Sequence, residues 1–374
     1  MKKIFLSIII FCTSTNVVFA QSPIEIPKES IYAKGQVNEL TEQKIQVHPE
    51  DPLYDPAQGD PQFNTIQNVT YEVLEGDYKG IIFSSINEIT GQIYDVYLEK
   101  GDKVMLLLKV YNDGSFEGYA IDFIRNDIMI IFVALFFIGL IVLGRMKGVR
   151  ALIGLVITVG AIFFILIPLT LKGYNALMLA VIISIAVAPI TIFLIAGFNR
   201  KAVSTILGAL SGVLCAAIIA YLVGNLAILS GLSDEDARIL YVNRPDLNFS
   251  NIFFASIMIG ALGAVMDVGM TIASAVNEVY IAHKDSTRKS LFKAGMQVGK
   301  DTIGTMSNTL ILAYVGSSLP LLLLFSMDNF GFINVINFDF MAAEIVRSIS
   351  GSFGLLIATP VTAFTSAFLL RNRP

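Results

Sequence analysis

Seven apolar stretches in the C-terminal two-thirds of the chain limit its fold more than any other feature. A helix needs about 20 apolar residues to cross hydrocarbon. Residues 128–144, 151–171, 174–197, 202–229, 252–276, 302–326 and 345–370 meet or approach that length. Inside a bilayer every backbone polar group must be satisfied within the segment, so such stretches are helices. The composition agrees, with 55% hydrophobic and only 15% charged residues, where soluble domains carry about 25% charge. Two cysteines exclude a disulfide scaffold, and a net charge of −4 argues against a nucleic-acid partner.

Charge is divided between two regions. Residues 21–127 hold 8 Lys+Arg against 19 Asp+Glu, whereas residues 128–374 hold 16 against 11. Met1-Lys2-Lys3, the short apolar run that follows and Val18-Phe19-Ala20 read as a signal peptide over 1–20. Residues 21–62 are polar and carry Pro23, Pro27, Pro49, Pro52, Pro56 and Pro61, which predicts a linker without regular structure. The acidic run Glu50, Asp51, Asp55 and Asp60 beside His48 fits no calcium loop spacing and reads as part of it. Residues 63–125 alternate β-rich runs at 69–74, 80–86, 92–98, 103–111 and 116–123 with turn signals. They predict a small barrel or sandwich.

Basic residues set an expected orientation. Arg145, Lys147, Arg150, Arg200, Lys201, Lys284, Arg288, Lys289, Lys293, Lys300, Arg371 and Arg373 flank alternate connections. The opposite connections carry Lys172, Arg238 and Arg244, with Arg347 at a border. By the positive-inside rule the first set is cytoplasmic. The expected fold is therefore an α-helical polytopic membrane protein of about seven transmembrane helices. A small all-β extracytoplasmic N-terminal domain precedes them, and a cytoplasmic tail follows over 371–374.

Polar residues within the spans carry the functional expectation. Asp267 sits deep in the fifth, with Thr271, Ser274 and Glu278 within about 40° of it at 100° per residue. Asp301, Thr305 and Asn308 share a face of the sixth. Meeting faces would form a polar cleft, with Glu278 and Asp301 at its cytoplasmic mouth and Asn308 between mouth and Asp267. Such intramembrane carboxylates are functional by default, the structural alternative being a hydrogen bond that fixes packing. Small residues at Gly208, Gly212, Gly260 and Gly263 predict close helix packing. Pro189, Pro320 and Pro360 mark sites for kinks. Gly295-Met-Gln-Val-Gly299-Lys300-Asp301 is one residue short of a phosphate loop and lacks its hydroxyl residue. Asp267 and Asp301 stand at different depths, which argues against a shared-proton aspartyl protease.

The runs Gly260-Ala-Leu-Gly-Ala-Val-Met-Asp267-Val-Gly-Met-Thr-Ile-Ala-Ser274-Ala and Gly299-Lys-Asp-Thr-Ile-Gly-Thr-Met-Ser-Asn308-Thr-Leu-Ile-Leu-Ala-Tyr314-Val-Gly316 resemble the YibE/F family of bacterial multispan membrane proteins. The Arg145-Met-Lys-Gly-Val-Arg150 loop is similar as well, and the resemblance covers about residues 65–330. It implies a plasma-membrane protein with an extracytoplasmic N-terminal part and no established substrate or reaction, and it carries over no catalytic residue; no cofactor or metal ligand is expected. The expected function is a permease for a cation, proton or small solute, with Asp267 as the cation contact. A non-transporting envelope scaffold, presenting the β domain to a protein partner or a second copy, is the alternative from another class.

Overall fold

The computed structural model describes residues 29–47, 62–89, 95–111, 116–327 and 331–371. The signal peptide, the six prolines of the linker, His48 and its acidic neighbours lie outside the described residues. The chain divides into two compact units, residues 1–135 and 136–374.

The first unit is built on one antiparallel sheet of order β3-β2-β1-β4-β5. Its central strand, β1 (Glu29–Val47), occupies nearly half of the stretch expected to be a linker. All six prolines fall outside β1, and every residue from 29 to 47 can donate a backbone hydrogen bond. The first half of β1 pairs with β4 (Lys103–Val110) and the second half with β2 (Gln62–Val73). Pairing on both sides outweighs its polar composition. β3 (Ile82–Ile89) and β5 (Phe116–Phe123) form the edges. The expected strand over 92–98 is absent where it is described, from Asp95 onward.

The sheet curls into a half-barrel. Phe83 on β3 meets Phe116 on β5 edge-on at 5.1 Å, and Gly118 leaves room for the Phe83 ring. Inside lie Val37, Val69, Val73, Val104, Leu106 and Leu108, all essentially inaccessible. Gln67 is buried among them and fully bonded. Its Oε1 accepts from Leu98 N at 3.1 Å and Asn87 Nδ2 at 2.9 Å, and its Nε2 donates to Leu98 O and Glu42 Oε1. Buried amides are tolerated only when satisfied in this way. Burial pushes the Tyr71 hydroxyl up to about 12.

The second unit is helical. α1 (Asn126–Ala161), which starts in the first unit, passes through one π-helical turn, Ile162–Leu166, into α2 (Ile167–Leu171). Then come α3 (Ala176–Ala196), α4 (Arg200–Leu226), α5 (Glu235–Asn243), α6 (Phe249–Ala282), α7 (Arg288–Ser317), α8 (Leu319–Met327), α9 (Phe332–Asn337) and α10 (Asp339–Arg371). Four of these starts are capped by side chains. Asn175, Asn199, Asn248 and Thr287 each accept a hydrogen bond from the backbone N–H three residues on, which satisfies one otherwise orphaned donor per helix.

Five helices among the described residues are long and apolar enough to cross a membrane, with Asn126–Leu171 counted as one. There are six if α7 and α8, bent by 59°, form a single span. The bend falls beside Pro320. Pro189 and Pro360 instead lie inside helices that continue through them. Asn126–Leu171 is not straight. Arg145 has φ 48° and ψ −134°, and Gly148 packs on the Leu140 carbonyl eight residues earlier. Those positions would stand about 12 Å apart on a continuous helix, so the chain folds back there.

α10 is the hub, with its most extensive contacts to α4, α7 and α6. The reason is the size of its side chains. Gly208 and Gly212 of α4 lie against Thr362, Ala358 and Gly354 of α10, and Gly295 and Gly299 of α7 against Ala363 and Thr359. Close approach maximises dispersion contact where lipid supplies no hydrophobic drive. Gly263 is different. A Cβ there would meet nothing within 4 Å, so its expected packing role is not realised among the described residues.

A Cβ at Gly212 would sit 2.6 Å from Gly354 O. Gly212→Ala should therefore destabilise the helical unit by about 1–3 kcal/mol, and Gly263→Ala should not. Thermal unfolding of both variants in detergent checks this; equal midpoints would mean the α4–α10 contact is not as close as described.

Candidate functional site

α6 has two unlike faces. Ala261, Leu262, Val265, Val268, Ile272, Ala273 and Val276 are buried against α4, α7 and α10. On the other side run Ser256, Gly260, Gly263, Asp267, Thr271, Ser274 and Glu278, at steps of 4, 3, 4, 4, 3 and 4. That spacing holds one face of a helix. All are exposed except Ser274, which is half-buried. The stripe thus extends the expected set by three small residues in the direction of the helix start. Their spacing was in the sequence, but Gly260 and Gly263 read there as packing residues rather than as a continuation of the polar face.

The Asp267 carboxylate has no hydrogen-bond or ion-pair partner among the described residues. Neighbouring hydroxyls do not serve it. Thr271 Oγ1 donates to the Asp267 backbone carbonyl at 2.9 Å, and Ser274 Oγ to Met270 O at 2.6 Å. Helical Ser and Thr commonly bond back to their own helix in this way.

The expected cleft between the fifth and sixth spans is not formed. Gly299 meets Ile272 and Gly295 meets Val276, so α6 and α7 run antiparallel. Asp267 then stands level with residues 304–307, and Asn308 is as deep as Asp267, not shallower. Asp301, Thr305 and Asn308 lie about 180–240° around α7 from Gly299, on the side turned from the α6 contact. All three are exposed, and Thr305 bonds its own helix at Thr302 O. The small residues of α7 choose the packed face, and the polar residues take what remains. One large side chain bridges the helices: a Cβ at Gly260 would sit 3.0 Å from Tyr314 Oη.

Where the stripe passes Ser256 and Gly260 it enters an apolar cavity of about 500 Å³, which Leu166, Ile167, Leu247 and Ile259 also line. Asp267 lies ~10 Å from Gly260 and ~16 Å from Glu278 along the axis.

A second polar cluster escaped the sequence reading. Glu344 and Arg347 pair at 2.7 Å in the first turns of α10, with side chains 16% and 19% exposed. Arg347 also reaches Asp234 at 3.5 Å and covers the Phe253 ring at 5.3 Å. Glu344 Oε2 and Arg347 Nε have no hydrogen-bond partner among the described residues. The i, i+3 spacing of opposite charges was a usable signal. What hid the cluster is that Asp234 arrives from a loop more than a hundred residues away. Nearby connections are tied too: Ser230 Oγ donates to Asp339 at 2.7 Å and Arg244 Nη2 to Leu171 O at 2.7 Å. Arg244 holds the Asp246 carboxyl below its ordinary range through the hydrogen bond between them. At the opposite end, Arg200 Nη1 donates to Leu369 O and Arg371 Nη1 to Ser286 O, both at 2.7 Å. Acidic connections thus gather at one end of the helices and basic ones at the other. No group of three or more His, Cys, Asp or Glu among the described residues is placed to hold a metal.

Long apolar helices carrying an isolated carboxylate on an open polar face define a multi-pass membrane protein. The chain belongs to the YibE/F-like protein family, whose family model matches residues 132–372. The match begins within α1 and runs through α10. It takes in the last helix, which the resemblance had left out, and leaves the sheet outside. No curated protein and no solved structure matches the chain.

Leaving a buried charge without its partner typically costs about 3–5 kcal/mol. Arg347→Leu should lower stability by that order, and adding Glu344→Leu should restore part of the loss. A double-mutant cycle by thermal or denaturant unfolding measures the coupling. Additive effects would mean the pair does not interact.

Proposed function

We propose that the protein is a permease that moves a cation, proton or small solute along the polar face of α6. One observation carries this reading: Asp267 is exposed, and unpartnered among the described residues, in the middle of a 34-residue apolar helix. An aspartate against lipid at that depth costs about 2.5–3.5 kcal/mol even on insertion scales. Water or a passenger at the carboxylate removes that cost. In this mechanism Asp267 binds the positive charge, Thr271 and Ser274 offer hydroxyl oxygens, and Glu278 draws cations in from the basic end. Gly263 and Gly260 leave room on the far side, toward the apolar cavity.

The chain crosses the plasma membrane seven times in this proposal, with Asn126–Leu171 divided at Arg145 and α7–α8 bent within one span. Clustering of Arg145, Lys147, Arg200, Lys201 and the α6–α7 connection supports a cytoplasmic basic end, an exported sheet and an inward C-terminus. The scaffold alternative draws on a different observation. The sheet exposes Tyr32, Ile82 and Ile86, each more than half accessible, as a partner-binding surface would.

Purified protein in liposomes tests the two readings. Wild-type protein should dissipate an imposed proton or monovalent-cation gradient at least about tenfold faster than Asp267→Asn at equal folded protein, as loss of an intramembrane charge site predicts. Equal rates would favour the scaffold.

A further inference from the structure

A polar cavity lies not on the α6 stripe but at the basic end. It measures about 490 Å³ and is lined by Asn199, Arg200, Lys201, Asn277, Tyr280, Ile281 and Leu370. Its chemistry is one-sided. Every polar side chain in the lining is a cation, an amide or a phenol, and no carboxylate is among them.

The use already made of each donor matters. Asn199 is committed, its Oδ1 accepting from Ala202 N and its Nδ2 donating to Ala196 O. Arg200 spends Nη1 on the Leu369 carbonyl at 2.7 Å. This anchors the guanidinium to α10 and leaves its other N–H groups. Lys201, Asn277 and Tyr280 have no side-chain hydrogen bond or ion pair among the described residues. All four of these side chains are half-buried. Two cations and two neutral donors from α4 and α6 therefore surround a space large enough for a ligand, with no carboxylate among the described lining residues. Half-buried like charges repel each other and lack full hydration, so such a cavity favours an anionic occupant. A guanidinium already fixed in orientation suits a tetrahedral oxyanion, which accepts several charge-assisted hydrogen bonds at once. Ile281 and Leu370 give the cavity an apolar edge.

We propose that this cavity binds a phosphate group, carried either by an anionic lipid headgroup or by a soluble phosphate. Phosphate is favoured over a carboxylate because it offers more acceptor oxygens to the donors that α4 and α6 both contribute. No residue of the α6 stripe lines this cavity, and the proposal does not depend on the transport reading.

The test uses the full chain in phosphatidylcholine nanodiscs and follows its melting midpoint. Inorganic phosphate is titrated against chloride at matched ionic strength. In parallel, phosphatidylglycerol replaces part of the phosphatidylcholine. Stabilisation by phosphatidylglycerol alone assigns the lipid headgroup, and stabilisation by inorganic phosphate assigns a soluble ligand. Lys201→Gln removes a charge that holds no other group in place. It should require about tenfold more of the effective phosphate source for the same stabilisation. Tyr280→Phe keeps the ring and removes one donor, for about a threefold loss. Lys284→Gln, outside the cavity, should respond as wild type. The proposal is overturned if neither phosphate source raises the midpoint, or if Lys201→Gln and Tyr280→Phe both respond as wild type does.

Discussion

Close approach of helix backbones along α10 is the constraint on which the helical unit depends. Gly208 and Gly212 on α4, and Gly295 and Gly299 on α7, each place backbone where a side chain would otherwise hold the helices apart. In lipid there is little hydrophobic reason for helices to associate, so dispersion at short range must do it. Once α4, α7 and α10 are gathered by their small residues, α6 has one direction in which to bury Val265, Val268 and Ile272. Its opposite face is then left open, and Asp267 with it. The exposed carboxylate is therefore a consequence of how the bundle packs as well as of the sequence.

That arrangement explains which parts of the fold could be read from the amino acids. The long apolar stretches carry the helices locally, so their existence was legible, but their ends were not: α7 starts at Arg288, well before the expected 302. The turn at Arg145 was legible as a basic loop, although the helices on either side nearly merge. β1 was not. Its residues are polar, and what makes it a strand is pairing with β2 and β4 on both sides, which no local pattern encodes. The sheet has five strands among the described residues, as expected, but β1 is one of them and the described part of 92–98 is not.

The candidate site was half legible for a related reason. Helical periodicity correctly put Asp267, Thr271, Ser274 and Glu278 on one face, since that follows from 100° per residue. Whether the face of α7 bearing Asp301, Thr305 and Asn308 turns toward it depends on what else α7 must pack against. Gly295 and Gly299 decide that, and they turn the polar face away. The Glu344–Arg347–Asp234 cluster and the basic cavity were hidden for the same cause, each being assembled from connections far apart in sequence.

The central claim is that water reaches position 267. The most direct measurement places a cysteine there, Asp267→Cys, in a chain with Cys12 and Cys215 replaced by alanine, and compares thiol labelling in membranes by a small charged reagent and by a lipid-soluble one. Water at the polar face of α6 predicts rapid modification by the charged reagent, at a rate near that of a cysteine at Glu278. Modification by the lipid-soluble reagent alone would contradict the account, because the carboxylate would then face hydrocarbon or tightly packed protein.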